Sequence, residues 1–531
     1  MADETTESRA DEPVEPGTFP PSVASEEPVE PAEGAGGDRA RRAALLGLRL
    51  VGGTIAAVAA VATIGAVGLV PLPTRAADVP GVEVAPVPAD AVRTCAGAAL
   101  RLGDESGAEA DTPVPIGLPS VRAHAVNAPL QSSPISTSDA GHGGRASAPE
   151  ILRIESGEGA LVAGSQSQVV DVNNFRGYAA AACAEPSGSI WLAGGATTVG
   201  RTSILSISNP SDVAAQVELT IYGEEGEVAA PGMKGIEVAP GAQRVLSLAG
   251  FAPGLLSPVV HVEARGGQVV AYLQQSIVRG LDASGLDLVG AAPDPAAELV
   301  FPGVQIYDAI GVNRALSLED WDDVAPVVRV FNSGEAATEV TVNVTPTDPA
   351  QTGTSFPVQV EAGVVTDVPL DSGLEAESGQ ALADGVYTVT MSADQRIVGG
   401  VRTSAAADIG PIETEGVVQG PVSDLAWYSA AAPLEGDTLM TVAPGPSPRL
   451  AAVNPGAEEV ALALYADGGE DLTLVVPAGG AASIPVAPGT AYTLSQGAGL
   501  HVAVSYASDD RMGAYPVSPS RPVSGPIVIR P

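Results

Sequence analysis

Apolar and polar residues alternate with a period of two through most of this chain, and one alternating block returns three times. Ile204 to Tyr222 reads I-L-S-I-S-N-P-S-D-V-A-A-Q-V-E-L-T-I-Y. A short strand runs to a turn at Asn209-Pro210, and a longer strand leaves it. Val328 to Val344 (V-R-V-F-N-S-G-E-A-A-T-E-V-T-V-N-V) and Leu450 to Tyr465 (L-A-A-V-N-P-G-A-E-E-V-A-L-A-L-Y) repeat the shape. The turn asparagines are Asn209, Asn332 and Asn454, offset by 123 and then 122 residues. So constant a period marks tandem copies of one β unit.

Each copy opens on an aromatic strand: Ile190-Trp191-Leu192, Leu299-Val300-Phe301, Leu425-Ala426-Trp427-Tyr428. After the asparagine turn come Val-x-x-Gly turns, two more alternating strands and an Asp-x-x-Gly or contracted form beginning at Asp287, Asp408 and Asp510. The terminal Pro526–Arg530 matches the opening strand and is expected to complete the third copy. Seven or eight strands in about 105–125 residues fit an immunoglobulin-like sandwich; a β-propeller of six four-stranded blades is the alternative. The copies are placed at 188–297, 298–422 and 423–531, after an irregular β domain at 73–187.

The alternation is absent before that domain. Residues 1–38 are acidic and rich in Glu-Pro, with too few apolar residues to build a core, and read as a disordered tail. A basic segment, 39–49, carries Arg39, Arg41, Arg42 and Arg49, and an uncharged run from Leu50 to Leu72 follows. As a helix that run reaches about 34 Å, enough for a bilayer core of about 30 Å. Arginines on its N-terminal side place the tail in the cytoplasm and the β region outside. The expectation is a single-pass cell-membrane protein; a secretion signal cut near Thr74-Arg75-Ala76 is the competing reading.

Composition agrees with strands and turns: 45% hydrophobic residues but 4% aromatic, with 62 Gly and 46 Pro. A net charge of −38, from 63 acidic against 25 basic residues, argues against nucleic acid as a partner. Cys95 and Cys183 are the only cysteines. Beyond a membrane segment they form a natural disulfide pair, closing a loop of roughly 90 residues for about 3–4.7 kcal/mol. Two separate buried thiols are the alternative.

The aromatic-Gly strand, the L-x-L-x-N-P turn, the Val-Pro/Ala-Gly strand and L-D-L-V-G-A-A-P in residues 190–293 resemble the repeat of bacterial Ig-like envelope proteins. With Cys95 and Cys183 lying ahead of Trp191, residues 90–531 resemble an actinobacterial membrane-anchored envelope family known only as a domain of unknown function, DUF5719. The second copy departs from the pattern, with Asn332-Ser333 in place of Asn-Pro and no tryptophan in its opening strand. The resemblance implies an extracellular location and, through glycosyltransferase neighbours, envelope glycan work. It implies no activity.

Candidate chemistry is sparse. His124, His142, His261 and His501 have no His or Cys partner at metal spacing, and no G-x-S-x-G elbow or EF-hand order is present. Glu319-Asp320-Trp321-Asp322-Asp323 is the sharpest cluster: Trp321 could stack on a sugar while the carboxylates take its hydroxyls, against a reading as a solvated loop. Trp427 is a second candidate glycan contact. Asp287, Asp408 and Asp510 read as turn residues, with inter-module calcium as the alternative, and the three asparagines as Asx turns. No catalytic residue, cofactor or metal is expected. The sequence therefore describes a non-enzymatic envelope scaffold, adhesion or accessory protein whose partner is an envelope protein or glycan; a glycan-binding accessory to surface polysaccharide assembly is the alternative.

Overall fold

The computed structural model describes residues 90–519 apart from 104–111, 141–145, 156, 173–174, 375–380 and 408–420, with the backbone of Val82–Val84, Ile412–Thr414, Val417–Gln419 and Ile527–Ile529. The expected tail and the run Leu50–Leu72, expected to span a membrane, lie outside the described residues; among the described residues no helix is long and apolar enough to cross a membrane. Strands dominate, and Glu83–Val528 forms one compact unit.

Each repeat folds as two sheets over a shared apolar core, because alternate residues of its strands all point to one side. In the first repeat the outer sheet has the order Ser189–Ala193, Val259–Gly266, Ala215–Gly223 and Ile236–Val238. The inner sheet has the order Ala242–Ser247, Arg201–Ser208, Val270–Arg279 and Asp282–Val289. Leu192, Leu205, Leu219, Val260 and Leu273 meet between them. The third repeat copies this arrangement with Thr438–Thr441, Ala491–Ser495, Val460–Ala466 and Leu472–Val476 outside. Ala481–Pro485, Arg449–Val453, His501–Ser508 and Arg511–Pro516 lie inside. In the second repeat the two strands expected at 386–391 and 396–403 are one, Gly385–Ala407, which serves both sheets in turn.

The strand order departs from the immunoglobulin arrangement, in which the first strand lies beside the second and the last beside the sixth. Here the first strand of a repeat pairs with the sixth, and the seventh pairs with the second. An eighth strand then forms the innermost edge. The four-stranded sheets counted for a propeller are present, but their order is not a meander. Ile527–Ile529 is a strand, as expected, yet it lies in a separate two-stranded sheet and does not complete the third repeat.

The region before the repeats is a smaller version of the same unit, with the sheets Phe175–Ala182, Leu161–Val172, Ser120–Val126 and Ala91–Thr94, Glu150–Ile154, Gln131–Pro134. Cys95 and Cys183 are disulfide-bonded and buried against Leu152, Ile154 and Val162. The four units do not string out as beads. Val422–Ser429, expected to open the third repeat, instead pairs with Gly385–Ala407 as the edge strand of the second, and Thr438–Thr441 takes the opening place in the third. Leu425 and Trp427 of Val422–Ser429 belong to the first repeat's core, Met512 and Ala514 of the third repeat to the second's, and Tyr178 and Ala180 of the N-terminal unit to the third's.

The asparagine turns do more than reverse the chain. Asn209, Asn332 and Asn454 are buried, and each Oδ1 accepts the backbone N–H two residues on, from Ser211, Gly334 and Gly456 at 2.9–3.0 Å. Each Nδ2 donates to the carbonyl four residues on (Val213, Ala336, Glu458) and to one on the strand that leads toward the inner edge (Val238, Val360, Val476). Removing the side chain strands both carbonyls. Asn454→Ala is expected to cost about 2–3 kcal/mol in urea unfolding of the full chain, and loss below 1 kcal/mol would contradict this account.

Candidate functional site

The four innermost strands, Phe175–Ala182, Asp282–Val289, Val422–Ser429 and Arg511–Pro516, meet about one axis, and a carboxylate stands where they meet. Asp424 is 1% exposed. Its Oδ2 accepts the amides of Tyr178 (2.8 Å) and Met512 (3.0 Å), and its Oδ1 that of Leu286 (3.0 Å). One side chain thus takes an amide from each of the other three units. Such close approach requires glycine: a Cβ on Gly177, at φ +152°, would lie 2.5 Å from Leu286 N and 2.7 Å from Asp424 Oδ1. Burial pushes the Asp424 carboxyl up to about 7, against the pull of the amides. Asp287, expected in a turn, lies inside its strand, fully buried. It accepts Trp427 N at 2.6 Å, and burial raises its carboxyl well above the usual range. Asp510 pairs with Arg176 at 2.8 Å, and Asp408 lies outside the described residues.

Neither candidate tryptophan offers a face to a sugar. Trp427 is 1% exposed, donates Nε1–H to Gln275 Oε1 (2.6 Å), and has Arg329 and Arg402 over its ring at 4.6 and 5.7 Å. Trp321 is 6% exposed, with Arg279 at 4.2 Å from its centroid. The acidic run around it is a clamp, not an open loop. Asp323 binds Arg201 (2.8 Å) and Arg279, and the Asp320 carbonyl accepts from both guanidinium groups. Burial works against ionisation of Asp323, yet the Arg201 hydrogen bond and the neighbouring Arg279 hold its carboxyl below the usual range. Deeper in, Arg329 forms a fork with Asp367 (2.8 and 2.9 Å) and donates to the carbonyls of Gly195, Leu256 and Pro258. Arginine, already charged and planar, suits such sites between sheets.

The third tryptophan, Trp191, is buried between the first and second repeats, stacked on His261 (3.9 Å) and near Phe331 (5.7 Å). Ser189 Oγ lies 3.0 Å from His261 Nε2, and burial lowers the imidazole below its ordinary value. The pair lies across two adjacent strands, a regular sheet contact. His124 faces Asp467 at 3.2 Å and His501 meets the Ala431 carbonyl at 2.6 Å. His142 is outside the described residues. Among the described residues no three His, Cys, Asp or Glu side chains gather as a metal site.

Among the open cavities of the described residues, one of about 440 Å³ lies within the second repeat beside Val312, Leu316 and Pro326, and two lie between units. A cleft of about 780 Å³ between the second and third repeats is lined by Gln305, Tyr307, Asp308, Asp384, Arg449 and Asp509. Its acids are engaged: Asp509 accepts the Tyr307 hydroxyl (2.9 Å), while Asp308 and Asp384 accept Gly311 N (3.0 Å) and Ala309 N (2.7 Å) at the start of the helix Ala309–Ala315. The Asp509 bond holds the phenol above its usual range. The second cavity, about 360 Å³, collects residues that follow the axial strands, among them Ala184, Pro186, Ala292, Pro293, Ala430 and Pro519, with the Arg93–Glu185 pair (2.7 Å) beside it. Ser189, the partner of His261, is among the residues lining the second. Neither cavity was legible in local pattern, since the walls of the first run from Gln305 to Asp509 and those of the second from Arg93 to Pro519.

Residues 138–489 match a family of unknown function, DUF5719. The chain belongs to that family. No curated protein matches the chain. The match supports the expected family and leaves its actinobacterial origin and immunoglobulin likeness to rest on the sequence resemblance.

The Asp424 carboxyl gives the DUF5719 chain a pH signature. Its value is about 7 in the fold against about 3.9 unfolded, so the folded chain holds the proton more tightly. Stability is therefore expected to fall, by on the order of a few kcal/mol, as pH rises from about 4 to 7. Asp424→Asn, which turns an amide donor toward a backbone N–H, is expected to unfold earlier at pH 5 and to reduce this slope, the raised Asp287 carboxyl keeping the remainder. An unchanged slope in urea midpoints between pH 5 and 8 would refute it.

Proposed function

We propose that this protein is a non-enzymatic, membrane-anchored scaffold or accessory protein of the cell envelope, displayed outside the cytoplasm. The observation that carries the reading is the use of interior charge. Asp424 ties three units to a fourth, and the Arg201, Arg279 and Arg329 clusters join the first repeat to the second. Buried ionisable groups in an enzyme are poised for reaction; here they are hydrogen-bonded across unit boundaries and make the units move as one body. The Cys95–Cys183 bond supports an oxidising compartment, and the Arg-flanked run Leu50–Leu72 supports an anchor with the N-terminus in the cytoplasm.

A glycan-binding role through Trp321 and Trp427 gains no support from their surroundings. A partner would use the outer surface or the open cavities. The topology is tested in intact cells carrying the full chain with a C-terminal epitope. A membrane-impermeant biotin reagent is expected to label Lys234, and carbonate washing is expected to leave the chain in the membrane. Labelling only after lysis, or release by carbonate, would overturn the proposal.

A further inference from the structure

The first repeat's inner sheet does not stop at its own edge strand. Thr137–Ser138 adds to Ala242–Ser247 in parallel, with Ala242 beside Thr137 and Gln243 beside Ser138. Ser136 N and Asp139 N donate to the carbonyls of Gly241 (3.0 Å) and Gln243 (3.2 Å). Ser138 Oγ reaches Gln243 Oε1 at 2.7 Å, and Asp139 pairs with Arg244 at 3.0 Å and accepts Val245 N at 3.3 Å. Under this cover Ala242, Gln243 and Val245 are buried.

The same edge recurs twice. Counted by pairing from the turn asparagines, Gln243 and Val245 correspond to Val365 and Asp367 in the second repeat and to Ala481 and Ser483 in the third. The second repeat's edge is closed: Val365 is buried against Trp191 and Val259 of the first repeat, and Asp367 is held by Arg329. The third is open. Ala481–Pro485 ends its sheet, and Ala481, Ala482, Ser483 and Ile484 are all partly exposed. Asn454 N bonds Gly480 O (2.8 Å) and Val486 N bonds Pro448 O (3.1 Å), so the even-numbered residues face the sheet and Ala481 and Ser483 turn their backbone groups outward. A cation stands beside this edge as Arg244 stands beside the first. Arg449 Nη2 is 2.9 Å from Ser483 Oγ and 3.5 Å from its carbonyl, and its buried Nε has no partner.

We propose that Ala481–Ser483 is a docking edge for an extended, hydroxyl-rich peptide segment of a partner protein ending in an acid, which adds in parallel by backbone pairing. The chain's own Ser136–Asp139, seated on the equivalent edge, supplies the orientation and the side-chain class. Backbone pairing provides the attachment, and Arg449 favours the acid. Pro485 ends the edge and limits the docked segment to a few residues.

The test uses the full chain in detergent and a fluorescent peptide of the sequence at residues 134–140, P-I-S-T-S-D-A. Saturable anisotropy is expected at micromolar to submillimolar peptide. Ser483→Pro, which removes an outward N–H, is expected to weaken it at least tenfold, and Arg449→Gln or an Asp→Asn peptide several-fold. Melting temperatures are read alongside, with Ala481→Pro as the second backbone variant. Weakened binding in a proline variant that melts like the parent supports the docking edge. No saturation at millimolar peptide, or parent-like binding by either proline variant, overturns it; so does weakening confined to variants that melt lower together with no effect of Arg449→Gln.

Discussion

Everything at the centre of this molecule depends on one carboxylate receiving amides from strands that are far apart in sequence. Asp424 has no counter-cation; its partners are the backbone N–H groups of Tyr178, Leu286 and Met512. Amides reach it because Gly177 and Gly285 let the neighbouring strands close to a distance that a side chain would prevent. An uncompensated carboxyl in an apolar interior is costly, and the rise of its titration toward 7 expresses that cost. What the arrangement supplies is mutual dependence, since no unit can leave without stranding either the carboxylate or an amide.

The same logic explains why the repeats share cores. Trp427 belongs by sequence to the third copy, by strand pairing to the second and by packing to the first, with Arg329, Arg402 and Gln275 around it. The insertion around Trp321 reaches across to Arg201 and Arg279. In a chain with 63 acidic residues and 25 basic ones, placing arginines between sheets spends scarce cations on joints. Guanidinium groups suit that use, because one fork can satisfy a carboxylate and several carbonyls together, as Arg329 does.

Membership of DUF5719 agrees with this picture without adding chemistry to it. The open features are surfaces: an acidic cleft whose carboxylates already cap a helix, a small axial pocket, and the uncovered edge at Ala481–Pro485.

Much of this was written in local pattern. Period-two alternation located most strands, the constant spacing of Asn209, Asn332 and Asn454 located the repeats, and the pairing of Cys95 with Cys183 followed from their being the only cysteines. These are short-range or counting properties, which a chain carries whatever it packs against. The roles of Asp287, Asp424, Trp321 and Trp427 were not legible, because each is decided by residues 40 to 250 positions away. Sequence showed an acid in a strand-turn pattern or an aromatic in an acidic run; only the tertiary structure put an amide against the first and a guanidinium over the second. Strand order lay beyond the sequence for the same reason. Exchanging the first and seventh strands between sheets leaves the alternation unchanged, and only the packing of the four units about Asp424 selects the arrangement.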